Sequence, residues 1–144
     1  MNTWILVANS SEARLCDAEN FRVNDLRLIQ EFSHPESRKK VTDLIADRKG
    51  HSTNDTGGGN SYEGKHDPKE VESEHFALQL AKQLIAGFEK KQYDQLIVVA
   101  PAHFFAYIRK HIHVHINDIT NIPKDFTKYP LLKLNSAIKK HLFE

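Results

Sequence analysis

The chain concentrates groups capable of catalysis, anion binding or metal binding in three clusters. The first is Gly57-Gly58-Gly59-Asn60, inside the polar stretch HSTNDTGGGNSYEGKHDPKE at residues 51–70. Glycine has no Cβ, so its backbone N–H groups can approach a crowded, charged centre and adopt φ > 0. A neutral amide beside them can orient a water molecule and donate to a developing oxyanion. The second cluster is basic: Arg48 and Lys49 precede the glycines, Lys65 and Lys69 follow them, and Arg38-Lys39-Lys40 lies further upstream. Such side chains suit phosphate contact. The third is His111, His113 and His115, whose period of two sets three imidazoles on one face if the segment is extended, the right ligand type for zinc or copper. The preceding FFAYIRKHI reads as helix, however, so a turn between His111 and His115 is expected to scatter the rings, and no metal site is expected. Asp17, Asp94 and Asp118 fall near strand ends, where acids commonly cap or solubilise. The sequence has no G-x-S-x-G, H-E-x-x-H, P-loop or G-x-G-x-x-G pattern.

Composition bounds what can position these groups. With 144 residues, 40% hydrophobic and 27% charged, the chain suits one soluble domain, residues 1–144, with a real core. Its lone Cys16 cannot form an internal disulfide, and alternation places it inside an apolar strand. The start, MNTWILVANSSEARL, has no basic n-region and only the short apolar run WILVA, so neither a secretory signal nor a membrane span is expected, and the location is read as cytoplasmic. Net charge is only +1, which gives no global signature of nucleic-acid binding. The distribution is uneven: residues 103–144 carry +4 and residues 1–102 carry −3.

The positioning elements follow from local pattern. TWILVAN, EARLCDA and VNDLRLIQEF read as a three-stranded meander. In the third, Leu26, Leu28 and Gln30 alternate with Arg27, Ile29 and Glu31, so one face is expected to meet the core. ESRKKVTDLIADRKG fits a helix or an extended element. A glycine-rich loop at 50–66 holds five of the six glycines and ends at Asp67-Pro68-Lys69-Glu70. Asp67 is placed to cap a helix, Pro68 presets φ at its first position, and Glu70 completes a capping box. That helix is expected to run to about Phe88 with an apolar stripe of Val71, Leu78, Ala81, Leu84, Ile85 and Phe88. The continuous apolar run Leu96 to Ala100 reads as a central strand covered on both faces. Pro101 then opens a short helix, VHINDITNI gives a parallel strand by a right-handed crossover, and YPLLKLNSAIKKHL forms a final amphipathic helix. The fold class is α/β, bordering α+β: a mixed sheet of about five strands with flanking helices.

Several of these segments together resemble the bacterial host attachment protein family: WILVANSSEARL, HPESR, DLIADRKG, DPKEVESEHFA, LIVVAPAHFFAYIRKHI and ITNIPKDFT, which cover nearly the whole chain in order. That family is similar in fold to the middle domain of archaeal and eukaryotic class I peptide-chain release factors. The resemblance implies a use for the loop, because in those factors a glycine-glycine-glutamine tip before the long helix enters the peptidyl-transferase centre and helps water cleave peptidyl-tRNA. It implies catalytic roles for Gly58, Gly59 and Asn60 and RNA contacts from Arg48, Lys49, Lys65 and Lys69. Half of the loop, extended, reaches roughly 30 Å. Asn60 is one methylene shorter than glutamine, and a small misplacement of a catalytic group can cost ~100-fold. The resemblance thus implies a cytoplasmic translation-linked factor that engages ribosome or tRNA and aids peptidyl-tRNA hydrolysis or ribosome rescue. The alternative is a non-enzymatic interaction protein required for attachment to host cells, with a protein partner. Neither reading calls for a cofactor or for membrane contact.

Overall fold

The computed structural model describes residues 2–19, 26–34, 67–116 and 118–143. The glycine-rich loop and the segment ESRKKVTDLIADRKG lie outside the described residues. The strands are β1 (Thr3–Ala8), β2 (Glu12–Ala18), β3 (Arg27–Ser33), β4 (Gln95–Val99) and β5 (Ile119–Ile122), and the helices are α1 (Pro68–Glu89), α2 (Ala102–Lys110) and α3 (Leu131–Phe143). One five-stranded sheet runs in the order β3-β2-β1-β4-β5. The first three strands form the antiparallel meander, while β4 pairs parallel with β1 and β5 parallel with β4. This is the mixed α/β sheet that the sequence predicts.

Every residue of β1 is buried because the strand is central and covered on both faces. Period-two alternation sends Trp4, Leu6 and Ala8 toward Phe76, Leu80 and Leu84 of α1 and Phe104 and Ile108 of α2. Ile5 and Val7 point the other way, toward Leu134 and Ile138 of α3. The same alternation splits β4, with Leu96 and Val98 on the first side and Ile97 and Val99 on the second. Cys16 is fully buried under α3, and burial pushes its thiol up to about 11.

The start of α1 follows the local signal in part. Pro68 opens the helix, and Asp67 Oδ1 accepts from the Lys69 N–H at 2.8 Å. The capping box does not close. Glu70 reaches instead across to α2, where the Tyr107 hydroxyl and His103 offer side-chain donors. The buried stripe is also rotated from the expected one: it consists of Ser73, Phe76, Ala77, Leu80, Ala81, Leu84 and Gly87, while Val71 is exposed. Small residues decide this face, because Ala77, Ala81 and Gly87 let the helix backbone lie close to the sheet. Ile85 and Phe88 pack at the margin of that cluster.

The other departure is β3. No residue of the strand is buried, and Leu28 and Ile29, on opposite faces, are 43% and 45% exposed. Leu26, just ahead of the strand, enters the core, and Phe32 near its end packs half-buried against the other cluster. Both helical layers centre on β1 and β4, so among the described residues this edge strand lies beyond their cover. Its pairing with β2 is also irregular at Leu15/Cys16. The strand-end acids are structural ties: Asp17 takes two bonds from Arg27 (3.0 and 2.8 Å), Asp94 accepts from the Asn2 N–H (3.1 Å), and Asp118 accepts from Gln95 (3.0 Å).

Candidate functional site

The parallel strands β1 and β4 end side by side at Ala8 and Val99. Beyond them the chain makes the turn at 9–11 on one side and starts α2 on the other, and the first turns of α1 close the gap. The result is a crevice of about 370 Å³, whose wall includes Ser10, Ser11, Lys69, Ser73, His103 and Tyr107. Crevices at the carboxyl ends of parallel strands are the usual ligand positions in open α/β sheets.

One wall is fixed by Asn9. Its Oδ1 accepts from the N–H groups of Ser11 (2.8 Å) and Glu12 (3.0 Å), which sets the tight turn between β1 and β2. Its Nδ2 donates to Asp125 Oδ2 (2.9 Å) and Thr127 Oγ1 (3.2 Å). Asp125 Oδ1 in turn accepts from the Thr127 N–H (3.0 Å) and hydroxyl (2.6 Å). Burial by itself raises the Asp125 carboxyl, but the Asn9 and Thr127 donors outweigh it and hold the group below its ordinary value. Arg14 Nη2 fastens the same loop by donating to the carbonyls of Phe126 (3.3 Å), Thr127 (3.1 Å) and Tyr129 (2.6 Å).

The opposite wall is the seam between α1 and α2. Glu70 accepts from the Tyr107 hydroxyl and lies 3.3 Å from His103 Nε2. One turn on, Glu74 accepts from Lys110 Nζ at 2.6 Å and lies 3.2 Å from His111 Nε2. The bond from Tyr107, then that from His103, holds the Glu70 carboxyl below the usual carboxylate range, and Lys110 does the same chiefly for Glu74. The partner effect pushes the Tyr107 hydroxyl up to about 12. Glu72 completes the row toward β3: it lies 2.9 Å from Nε2 of His34, a buried ring stacked 5.0 Å from Phe76.

Of the glycine-loop and basic residues singled out from sequence, Lys69 is the one among the described residues; it is exposed on the first turn of α1 and lines the crevice. Gly58, Gly59, Asn60, Arg48, Lys49 and Lys65 lie outside the described residues. The three histidines do not converge: His111 faces Glu74, while His113 and His115 are exposed. No group of three or more metal-ligating side chains occurs among the described residues. Sequence reading missed the cross-helix set. A signal existed, since Glu70 and Glu74 are spaced i,i+4 on one helix, as are His103, Tyr107 and His111 on the next. The Asn9–Asp125 tie, across 116 residues, had no local signal.

A family model described as "Protein required for attachment to host cells" matches residues 4–142. No curated protein matches the chain significantly. Nine chains of solved structures match. One is the type II variant of the Ppx/GppA phosphatase from Aquifex aeolicus, at 12% identity and a TM-score of 0.38. The alignment covers 84% of this chain and 36% of that one, so the chain spans little more than a third of that structure's length, and the likeness carries no functional argument. Among the described residues no helix is long and apolar enough to cross a membrane.

Proposed function

The chain belongs to the family of proteins required for attachment to host cells, and from that premise we propose that it acts as a non-enzymatic interaction protein in attachment, with the crevice as its recognition surface. The observation that carries this reading is the commitment of the crevice carboxylates. Glu70 and Asp125, with Glu74 beside them, are each held below the ordinary carboxylate range by donors of the fold. A general acid or base works best with a pKa near the operating pH. These groups are instead fixed anions that lock α1 to α2 and the turn at 9–11 to the loop at 125–127. They make a preorganised surface, which favours binding by lowering the ordering entropy of association. The test is attachment of a strain lacking the protein, complemented with the native chain or with a Ser10→Trp/His103→Trp variant that fills the crevice. Native protein restores attachment and the filled variant does not. Unchanged attachment in the deletion strain would sink the reading; full rescue by the filled variant would move the recognition surface elsewhere.

A second reading is supported by Lys69, which stands exposed at the crevice, two residues into the described chain after the glycine-rich segment. In this reading the chain is used as a release-factor middle domain is: Gly58, Gly59 and Asn60 act at the peptidyl-transferase centre, and Arg48, Lys49, Lys65 and Lys69 contact tRNA or ribosomal RNA phosphates. Affinity for ribosomes then falls steeply with salt. Replacing the four basic residues with Ala abolishes co-sedimentation, and replacing Gly58 and Gly59 with Ala spares binding but removes peptidyl-tRNA hydrolysis. Absence of co-sedimentation at low salt refutes this reading and leaves the attachment reading untouched.

A further inference from the structure

We propose that the crevice at the ends of β1 and β4 is a binding site for a phosphoryl group, held by Lys69, Ser10, Ser11 and Ser73. The crevice's acceptors are engaged by the fold: Asp125 by Asn9 and Thr127, Glu70 by Tyr107 and His103. Its remaining polar side chains have no partner among the described residues. Lys69, Ser10, Ser11 and Ser73 all line the crevice, and among the described residues none makes a side-chain hydrogen bond or ion pair. Ser73 is the telling member, because the residue is only 8% exposed and lines the crevice with no hydrogen-bond partner among the described residues.

A second feature has the same polarity. The nine-residue helix α2 starts at the crevice with Pro101 in the cap position, and no side chain caps its first N–H groups. Those free donors and the helix dipole favour an anion there. An ammonium, three hydroxyls and uncapped backbone N–H groups form a donor set spread around one volume. It is richer than a planar carboxylate needs and suits a tetrahedral oxyanion with several acceptor oxygens. The crevice is also larger than one phosphate, and Phe104 and Tyr107 in its wall offer an apolar side to whatever carries the phosphoryl group. That carrier can be a phosphomonoester or a nucleic-acid phosphodiester, which share this chemistry. The inference is independent of the attachment reading, because a phosphoryl site in this crevice requires no particular cellular role.

The test is titration of the full ¹⁵N-labelled chain with inorganic phosphate, phenyl phosphate and a short single-stranded oligonucleotide lacking terminal phosphates, followed by amide shifts. Saturable shifts are expected at Ser10, Ser11, Lys69, Ser73, Ala102 and His103. Lys69 is exposed, so Lys69→Ala leaves the fold intact and is expected to weaken binding at least about tenfold, with Lys69→Arg retaining it. Ser73→Ala is expected to weaken it about threefold. Saturation by phenyl phosphate alone assigns the site to monoesters, and saturation by the oligonucleotide alone assigns it to the diester backbone; both uphold the site. No saturable shift with any of the three, equal binding by Lys69→Ala and native protein, or the same shifts with chloride would overturn it.

Discussion

Replacing Gly87 with Ala tests how closely α1 lies on the sheet. In an open helix interior this change is stabilising by about 1 kcal/mol, through helix propensity. Here the added Cβ would stand 2.2 Å from Trp4 Cη2 and 2.4 Å from Cζ3. Carbon atoms settle at about 3.5–4.0 Å, so the helix or the indole must retreat by roughly 1.5 Å. Trp4 has little room to yield: it is 7% exposed and stacked 4.5 Å from Tyr93, whose hydroxyl donates to the Leu84 carbonyl of α1 itself at 2.6 Å. Overpacking of this kind costs about 3 kcal/mol at the upper end of its usual range, which leaves a net destabilisation of about 2 kcal/mol. With an unfolding entropy of about 0.3 kcal/mol/K for a domain of this length, Tm falls by about 6–7 °C. Trp4 is the only tryptophan, so its fluorescence reports both the local contact and the unfolding transition. In a Trp4→Leu background the clash disappears and Gly87→Ala becomes neutral or stabilising. An unchanged or raised Tm with unaltered Trp4 emission would refute the reasoning, as would a penalty that persists in the Trp4→Leu background.

Three further outcomes follow from the geometry. Asp67→Ala removes the side-chain acceptor at the start of α1 and should destabilise by about 1 kcal/mol in denaturant unfolding; an unaltered midpoint would contradict the capping role. Glu70 and Glu74 are depressed in the fold, so their stabilisation is complete above the unfolded value of about 4.3 and is lost as pH falls through the lower folded values. Acid titration should loosen α2 from α1 in that window, and the Glu70→Gln/Glu74→Gln double variant should show a flatter stability profile there; a native slope would count against the seam. Cys16, buried with its thiol pushed up to about 11, should react with an aromatic disulfide reagent at pH 8 only on unfolding, and fast labelling of the native chain would show the core to be open.

The sequence by itself determined the features whose causes are local. Asp67-Pro68 marks the helix start because a cap and a preset φ act within one turn. The run Leu96 to Ala100 declares a strand buried on both faces because an apolar side chain at every position leaves no face for water. The family too was legible, from ordered segments between Trp4 and Thr127 that fall within the matched residues 4–142. What only the tertiary structure decided are choices between partners far apart in the chain. Glu70 had a local option, the cap of its own helix, and took His103 and Tyr107 instead, 33 and 37 residues away. The alternation through Leu28 and Ile29 predicts a face of β3 on the core, yet both side chains are exposed, because burial depends on where the helices lie as well as on the strand's own pattern. On α1 the apolar period was read correctly but its phase was not: Val71 faces solvent while Gly87, with no side chain at all, is buried. Hydrophobicity alone cannot fix that phase, since a helix settles on a sheet where its backbone can come closest, and that depends on the shape of the opposing residue, here the indole of Trp4.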